Sequence, residues 1–244
     1  MSIHTALSAI VRQTESAIRQ QQESGFDTSF LPDGLNELLT LPERKTASVY
    51  SEQADTLDAL YQGHCECTAC PLGHKRQHFV FGAGNEQADV LFIGEAPGAD
   101  EDAQGQPFVG AAGQLLTRIL KAIDFSRDDV YIANMLKCRP PNNRDPLPEE
   151  IAACEPILRE QIRLLQPKLI CALGRVAGQA LLQTTMSLSR LRGQFHDYHG
   201  IKLMVTYHPS ALLRNPAFKR PTWEDVQLLR REYDQIMASQ TGAS

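Results

Sequence analysis

No run of apolar residues in this chain approaches the roughly 18 that a membrane-spanning helix requires, so a membrane protein is not expected. The start, MSIHTALSAIVRQTE, lacks a basic segment followed by an apolar stretch, which argues against a secretory signal. It also has too few arginines and too many acids for a mitochondrial address, and the expectation is a cytoplasmic monomer. There is no G-x-G-x-x-G and no G-x4-G-K-[ST], so neither common phosphate-binding loop is present. Internal repeats are absent as well. Without an export signal, the six cysteines are not expected to form a disulfide framework.

At 244 residues the chain is long enough for one sizeable domain and an appendage. Its formal charge of -5 is unevenly spread. Residues 1–60 hold four Lys/Arg against nine Asp/Glu, and the remainder holds twenty of each. Ile3, Leu7, Ile10, Val11, Thr14 and Ile18 share one face at helical spacing, which predicts an amphipathic helix over residues 3–23. From Ser24 to about Gln62 the composition turns to Ser, Asp, Pro and Glu, as in a flexible acidic tether. Its apolar patch SFLPDGLNELLTL is a candidate docking segment for an unknown partner. Residues 1–60 are therefore read as an extension and 61–244 as the main domain.

In that second part strands alternate with helices. Expected strands are Ala88–Gly94, Val130–Asn134, Lys168–Leu173 and Lys202–Tyr207. Expected helices are Gly113–Ile123, Pro148–Leu165, Arg175–Leu182 and Thr222–Ala238. Alternation at this spacing predicts an α/β fold with a parallel sheet covered on both faces. VLFIG and LICALG are almost continuously apolar, as buried parallel strands should be.

The segment VLFIGEAPGADEDAQGQPFVGAAGQLLTRIL, Val90 to Leu120, concentrates the chemistry. It reads as a buried strand, a Gly-rich loop and an amphipathic helix. The loop sets Glu95, Asp100, Glu101 and Asp102 beside Phe108 at a strand's C-terminal end, where open α/β sheets hold ligands. Basic clusters at Lys137/Arg139/Arg144, Arg190/Arg192 and Lys219/Arg220 flank the other motifs and are candidate phosphate contacts.

Cys67 and Cys70 form a C-x2-C turn, while Cys138 and Cys154 have fifteen residues between them. Two chelating pairs meeting across a fold suit zinc or an iron–sulfur cluster, since both take four thiolates. Cys171 lies inside LICALG and reads as a core thiol. Cys65 reads as a spectator, with substitution for Cys67 as its alternative.

Four segments carry a family resemblance. CTACPLG (Cys67 to Gly73), GEAPGADEDAQGQPFVGAAG, NMLKCRPPNNRDPLPEEIAAC (Asn134 to Cys154) and YHPSALLR (Tyr207 to Arg214) stand in the order of the iron–sulfur-containing family 4 uracil-DNA glycosylases. The resemblance spans about residues 61–237. It implies a three-layer α/β/α fold around a mainly parallel four-stranded sheet, with uracil-containing DNA as partner. It also implies a [4Fe-4S] cluster on Cys67, Cys70, Cys138 and Cys154. Glu101 resembles the water-positioning carboxylate, with Glu95 its rival, and His208 resembles the donor to the uracil oxygen. Phe108 would stack on the base, and Asn134 and the Ala96 backbone would bond it. Leu212, or else Leu213, would fill the vacated stack, and Arg214 would meet a phosphate. The implied activity is monofunctional uracil release in base excision repair. A non-catalytic iron–sulfur DNA-binding module of the same fold is the alternative. Relatives that bind abasic DNA covalently carry a reactive histidine in the central motif, and this segment has none.

Overall fold

The computed structural model describes residues 54–241. The expected N-terminal helix and most of the tether lie outside the described residues. The tether's last part does not behave as expected. Leu57–His64 forms helix α1, capped by the Thr56 hydroxyl, which accepts from Ala59 N at 3.1 Å. Leu57 and Leu60 are buried and join the core. The described fold therefore begins ahead of residue 61, because two leucines one turn apart have a core to enter.

The sheet has six strands in the order β1-β3-β2-β4-β6-β5. The four expected strands are its centre: β2 (Val90–Gly94), β3 (Tyr131–Asn134), β4 (Leu169–Leu173) and β6 (Ile201–Thr206). These four are mutually parallel. The expectation of four strands is corrected at both edges. β1 (Ala83–Gly84) pairs antiparallel with β3, and β5 (Phe195–Tyr198) pairs antiparallel with β6. β1 is two residues long and leaves no periodicity to read. β5 is joined to β6 through His199 and Gly200, both at positive φ (50° and 87°), a two-residue hairpin that a right-twisted ribbon favours.

Side chains alternate across the central strands and build two cores. Leu91, Ile93, Ala133, Ile170, Ala172, Leu203 and Val205 pack on one face with Ile157 and Leu158 of α4 (Pro148–Leu165). Val90, Phe92, Ile132, Leu169, Cys171 and Met204 pack on the other. There they meet Leu116 and Leu120 of α3 (Ala111–Ala122) and Val226 and Leu229 of α8 (Lys219–Thr241). This is the expected three-layer α/β/α arrangement, and Cys171 is a core thiol. α2 (Ala99–Gln104), α5 (Arg175–Leu181), α6 (Leu188–Leu191) and α7 (Pro209–Arg214) are short. No described helix is long and apolar enough to cross a membrane.

Candidate active site

The C-terminal ends of β2, β3, β4 and β6 open onto one cleft of about 730 Å³. Glu95, Ala96, Glu101, Phe108, Asn134, His208 and Arg214 all line it, so three widely separated stretches of sequence converge. Asp145, Arg144 and Arg175 line it too, and none of these was singled out individually as a pocket residue from sequence. Arg175 begins α5 directly after β4, and its guanidinium pairs with Asp145.

Asn134 closes β3. It is 2% exposed, and its side-chain Oδ1 has no hydrogen-bond partner. A buried, unpaired amide oxygen costs free energy unless a ligand satisfies it. Gly94, at the end of β2, makes room for it: a Cβ there would stand 2.3 Å from Asn134 Oδ1 and 2.6 Å from the Phe108 ring. Only glycine allows the amide and the ring to meet over this point.

The Phe108 and His208 rings lie 5.5 Å apart, tilted by 35°. His208 is the N-cap of α7, and its Nδ1 accepts from the Ser210 backbone N–H at 3.2 Å and lies 2.8 Å from Ser210 Oγ. An accepting Nδ1 leaves the ring proton on Nε2. Burial, aided by the charge of Arg214, lowers the His208 pKa to about 4, so the ring is a neutral Nε2–H donor at ordinary pH. Gly174 after β4 (φ 97°) permits the close approach, since a Cβ there would lie 3.0 Å from His208 Cβ.

The carboxylates of the acidic loop divide into separate tasks. Asp102 is 3% exposed and accepts from Gln77 N at 2.9 Å, anchoring the loop to the segment before β1. Glu101 Oε1 accepts from Val109 N (2.9 Å) and Gly110 N (3.0 Å), and Oε2 accepts from Gly98 N (3.1 Å). Both of its oxygens are engaged in folding the loop. Glu95 has no such partner. Burial, and then the charge of Asp145, raises its pKa to about 7 against the opposing pull of Arg175 and Arg214. Of the two carboxylates left as rivals by sequence, Glu101 is thus bound into its loop by backbone amides and Glu95 is not.

Leu212 is 2% exposed and sits in the protein interior, whereas its neighbour Leu213 is 47% exposed. Of the two wedge candidates, Leu213 is therefore the one at the surface. Lys137, included in a basic cluster above, is fully buried and cannot meet a phosphate. Its Nζ donates to Asn134 O (2.8 Å) and Gln161 Oε1 (2.6 Å), holding the strand end that carries the amide. Arg192 is tied to Asp225 and Arg144 to Glu150, while Arg214 is exposed where it lines the cleft.

Cys138 and Cys154 belong to one core, with Cys67 and Cys70 packed against it, and none of the cysteines is in a disulfide. Cys138 lies within electrostatic reach of Cys67 and Cys70, and Cys154 within reach of Cys138 and Cys70. The Lys137 backbone N–H points at Cys154 Sγ (3.3 Å) and the Arg76 guanidinium at Cys138 Sγ (3.5 Å). Cys65 faces elsewhere, toward Gln62 O. Among the described residues, no three His, Cys, Asp or Glu side chains form a closed metal-holding set. The chemistry nonetheless fits a thiolate-held group: four thiols gathered from two segments, with N–H donors directed at two sulfurs.

A parallel sheet whose strand ends hold an unsatisfied amide, an aromatic ring, a neutral imidazole and a raised carboxylate suits excision of a planar base. Residues 81–227 match the family model described as the uracil DNA glycosylase superfamily. The chain is 43% identical over 182 residues to the type-4 uracil-DNA glycosylase of Archaeoglobus fulgidus, covering 71% of this chain and 91% of that protein. It is 46% identical over 166 residues to the type-4 enzyme of Thermotoga maritima (66% of this chain, 86% of that protein). A type-5 uracil-DNA glycosylase of Pyrobaculum aerophilum is more distant, at 34% over 168 residues (61% of this chain, 72% of that protein). The chain belongs to the type-4 uracil-DNA glycosylases.

Proposed function

We propose that the protein hydrolyses the N-glycosidic bond of deoxyuridine in DNA, releasing uracil and leaving an abasic site. The observation that carries this reading is the buried, unpartnered Oδ1 of Asn134 beside Phe108 and the Nε2–H of His208. The glycosidic bond is inaccessible within a stacked duplex, so the nucleotide must swing out into the cleft. Phe108 stacks on the extruded base. Asn134 Oδ1 accepts its N3–H and the amide NH2 donates to O4, while the Ala96 backbone adds a further contact.

As the C1′–N1 bond lengthens, the sugar gains positive charge and the base negative charge. His208 Nε2–H donates to O2 and stabilises the leaving anion, an oxyanion-type effect. The carboxylate of Glu95 faces the sugar cation and orients a water, which forms the new C1′–O bond and gives up its proton to that carboxylate. Leu213 fills the vacated stack and Arg214 meets a phosphate. An apolar wedge offsets part of the few kcal/mol that unstacking costs.

Cys67, Cys70, Cys138 and Cys154 would hold a [4Fe-4S] cluster, which supplies a four-thiolate crosslink between two chain segments. Burial raises the Cys154 thiol to about 12, and a bound cationic centre is what would keep it deprotonated. No catalytic step passes through the cluster.

The test is uracil release from single-stranded and U·G duplex oligonucleotides, followed on a denaturing gel. Free uracil with strand breaks that appear only after alkali supports a monofunctional glycosylase. Breaks without alkali, or no release by folded, cluster-loaded protein, would overturn the reading.

A further inference from the structure

Phe108, the ring assigned to the base, sits on backbone of left-handed conformation, with φ at 54°. A bulky aromatic residue rarely adopts this conformation, and it persists only where its surroundings over-determine it. The peptide joining Phe108 to Val109 is held at both ends. Its N–H donates to Glu101 Oε1 at 2.9 Å. Its carbonyl accepts from Arg127 Nη1 at 3.0 Å, and Arg127 Nη2 donates to the preceding carbonyl, Pro107 O, at 2.8 Å. Arg127 comes from the connection between α3 and β3, about twenty residues along the chain, and no step above employs it. The fork of its guanidinium matches two successive carbonyls, a task that the single ammonium of lysine performs only in part. The remaining side of the turn is closed by α3. A Cβ at Gly113 would lie 1.8 Å from Phe108 O, so the carbonyl rests directly on the helix backbone.

We propose that Arg127 is a positioning residue for base recognition. By gripping the carbonyls of Pro107 and Phe108, it keeps the strained turn from relaxing and holds the Phe108 ring where a uracil can stack. Without it, Phe108 leaves the left-handed region and its ring swings out of register with Asn134 and His208. The inference rests on the assignment of Phe108 as the stacking ring.

The experiment is a double-mutant cycle with Arg127→Met, Phe108→Ala and the pair together. It reads kcat/KM on a uracil-containing oligonucleotide, inhibition by free uracil, and the melting temperature. Arg127→Met is expected to lower kcat/KM about tenfold and to weaken uracil inhibition in parallel. In the Phe108→Ala background the same change is expected to add nothing, because residues acting as one unit are non-additive. Arg127→Lys is expected to fall between the native protein and Arg127→Met, and it serves if the methionine variant does not fold. Equal losses in both backgrounds, or unchanged uracil inhibition in Arg127→Lys and Arg127→Met, would overturn the proposal. An unimpaired Phe108→Ala variant would instead overturn the stacking assignment. An impaired Phe108→Ala beside a normal Arg127→Met leaves stacking intact and removes Arg127 alone.

Discussion

Glu95 and Glu101 lie six residues apart, the first just after β2 and the second on α2, and their carboxylates have opposite surroundings: three backbone amides close around that of Glu101, and none described donates to that of Glu95. Their substitutions should separate accordingly. Glu95→Gln is expected to slow uracil release by roughly 10²- to 10³-fold, the scale of a lost general base, without lowering the melting temperature. Glu101→Ala should instead cost about 1–3 kcal/mol of stability, because its partner amides lose a charged acceptor. Thermal melts and single-turnover rates on both variants check this.

The raised pKa of Glu95, about 7, gives the rate a pH dependence. The carboxylate form is the one that takes a proton from water, so release should rise with pH through 7 and then level. The limb should disappear in Glu95→Gln. Stability should run the other way. The folded state holds this proton more tightly than the unfolded chain, so the contribution is present below about 4.5 and is lost as pH rises through 7. Glu95→Gln is therefore expected to raise the melting temperature more at pH 8 than at pH 5.

His208 should contribute no limb between pH 5 and 8, because its pKa is lowered to about 4 and it is already neutral there. His208→Ala is expected to cost roughly 10²- to 10³-fold in rate, as loss of an oxyanion donor does. Ser210→Ala keeps the backbone N–H on Nδ1 and should cost far less. A pH–rate profile of native protein with a limb near 6 that His208→Ala removes would contradict the neutral-imidazole assignment.

Leu213→Ala should weaken release from duplex more than from single strands, because a single strand has no stack to fill. Leu212→Ala should lower stability by about 2–4 kcal/mol as a core truncation and leave the ratio of the two substrates unchanged.

Lys137→Met leaves Gln161 Oε1 and the Asn134 carbonyl without their donor inside the protein, and about 1–3 kcal/mol of destabilisation is expected. Adding Gln161→Leu should restore part of it, which denaturant melts of the single and double variants would show.

The central strands and the longer helices were readable because their period and length exceed the noise of short patterns. Pro148–Leu165 begins and ends where expected, with Pro148 at its first turn and Glu149 and Glu150 beside it. The edge strands were not readable, since β1 is held by two residues and β5 by a His-Gly hairpin that lacks the usual Asn-Gly signature. The convergence of Glu95, Phe108, Asn134 and His208 was legible from their strand-end positions and motifs. Burial was not. Lys137 stands in a basic run but is interior, Leu212 and Leu213 differ only in which side of a short helix they face, and Arg127 reaches its partners only through the fold.

The most direct measurement is single-turnover uracil release by Asn134→Ala compared with the native protein, with melting temperatures determined alongside. The account predicts a loss of roughly 100-fold or more in a variant that melts like the native protein, because the amide oxygen is buried in the cleft without a partner and a base would supply one. Near-native release by that folded variant would contradict the claim that this pocket reads the base.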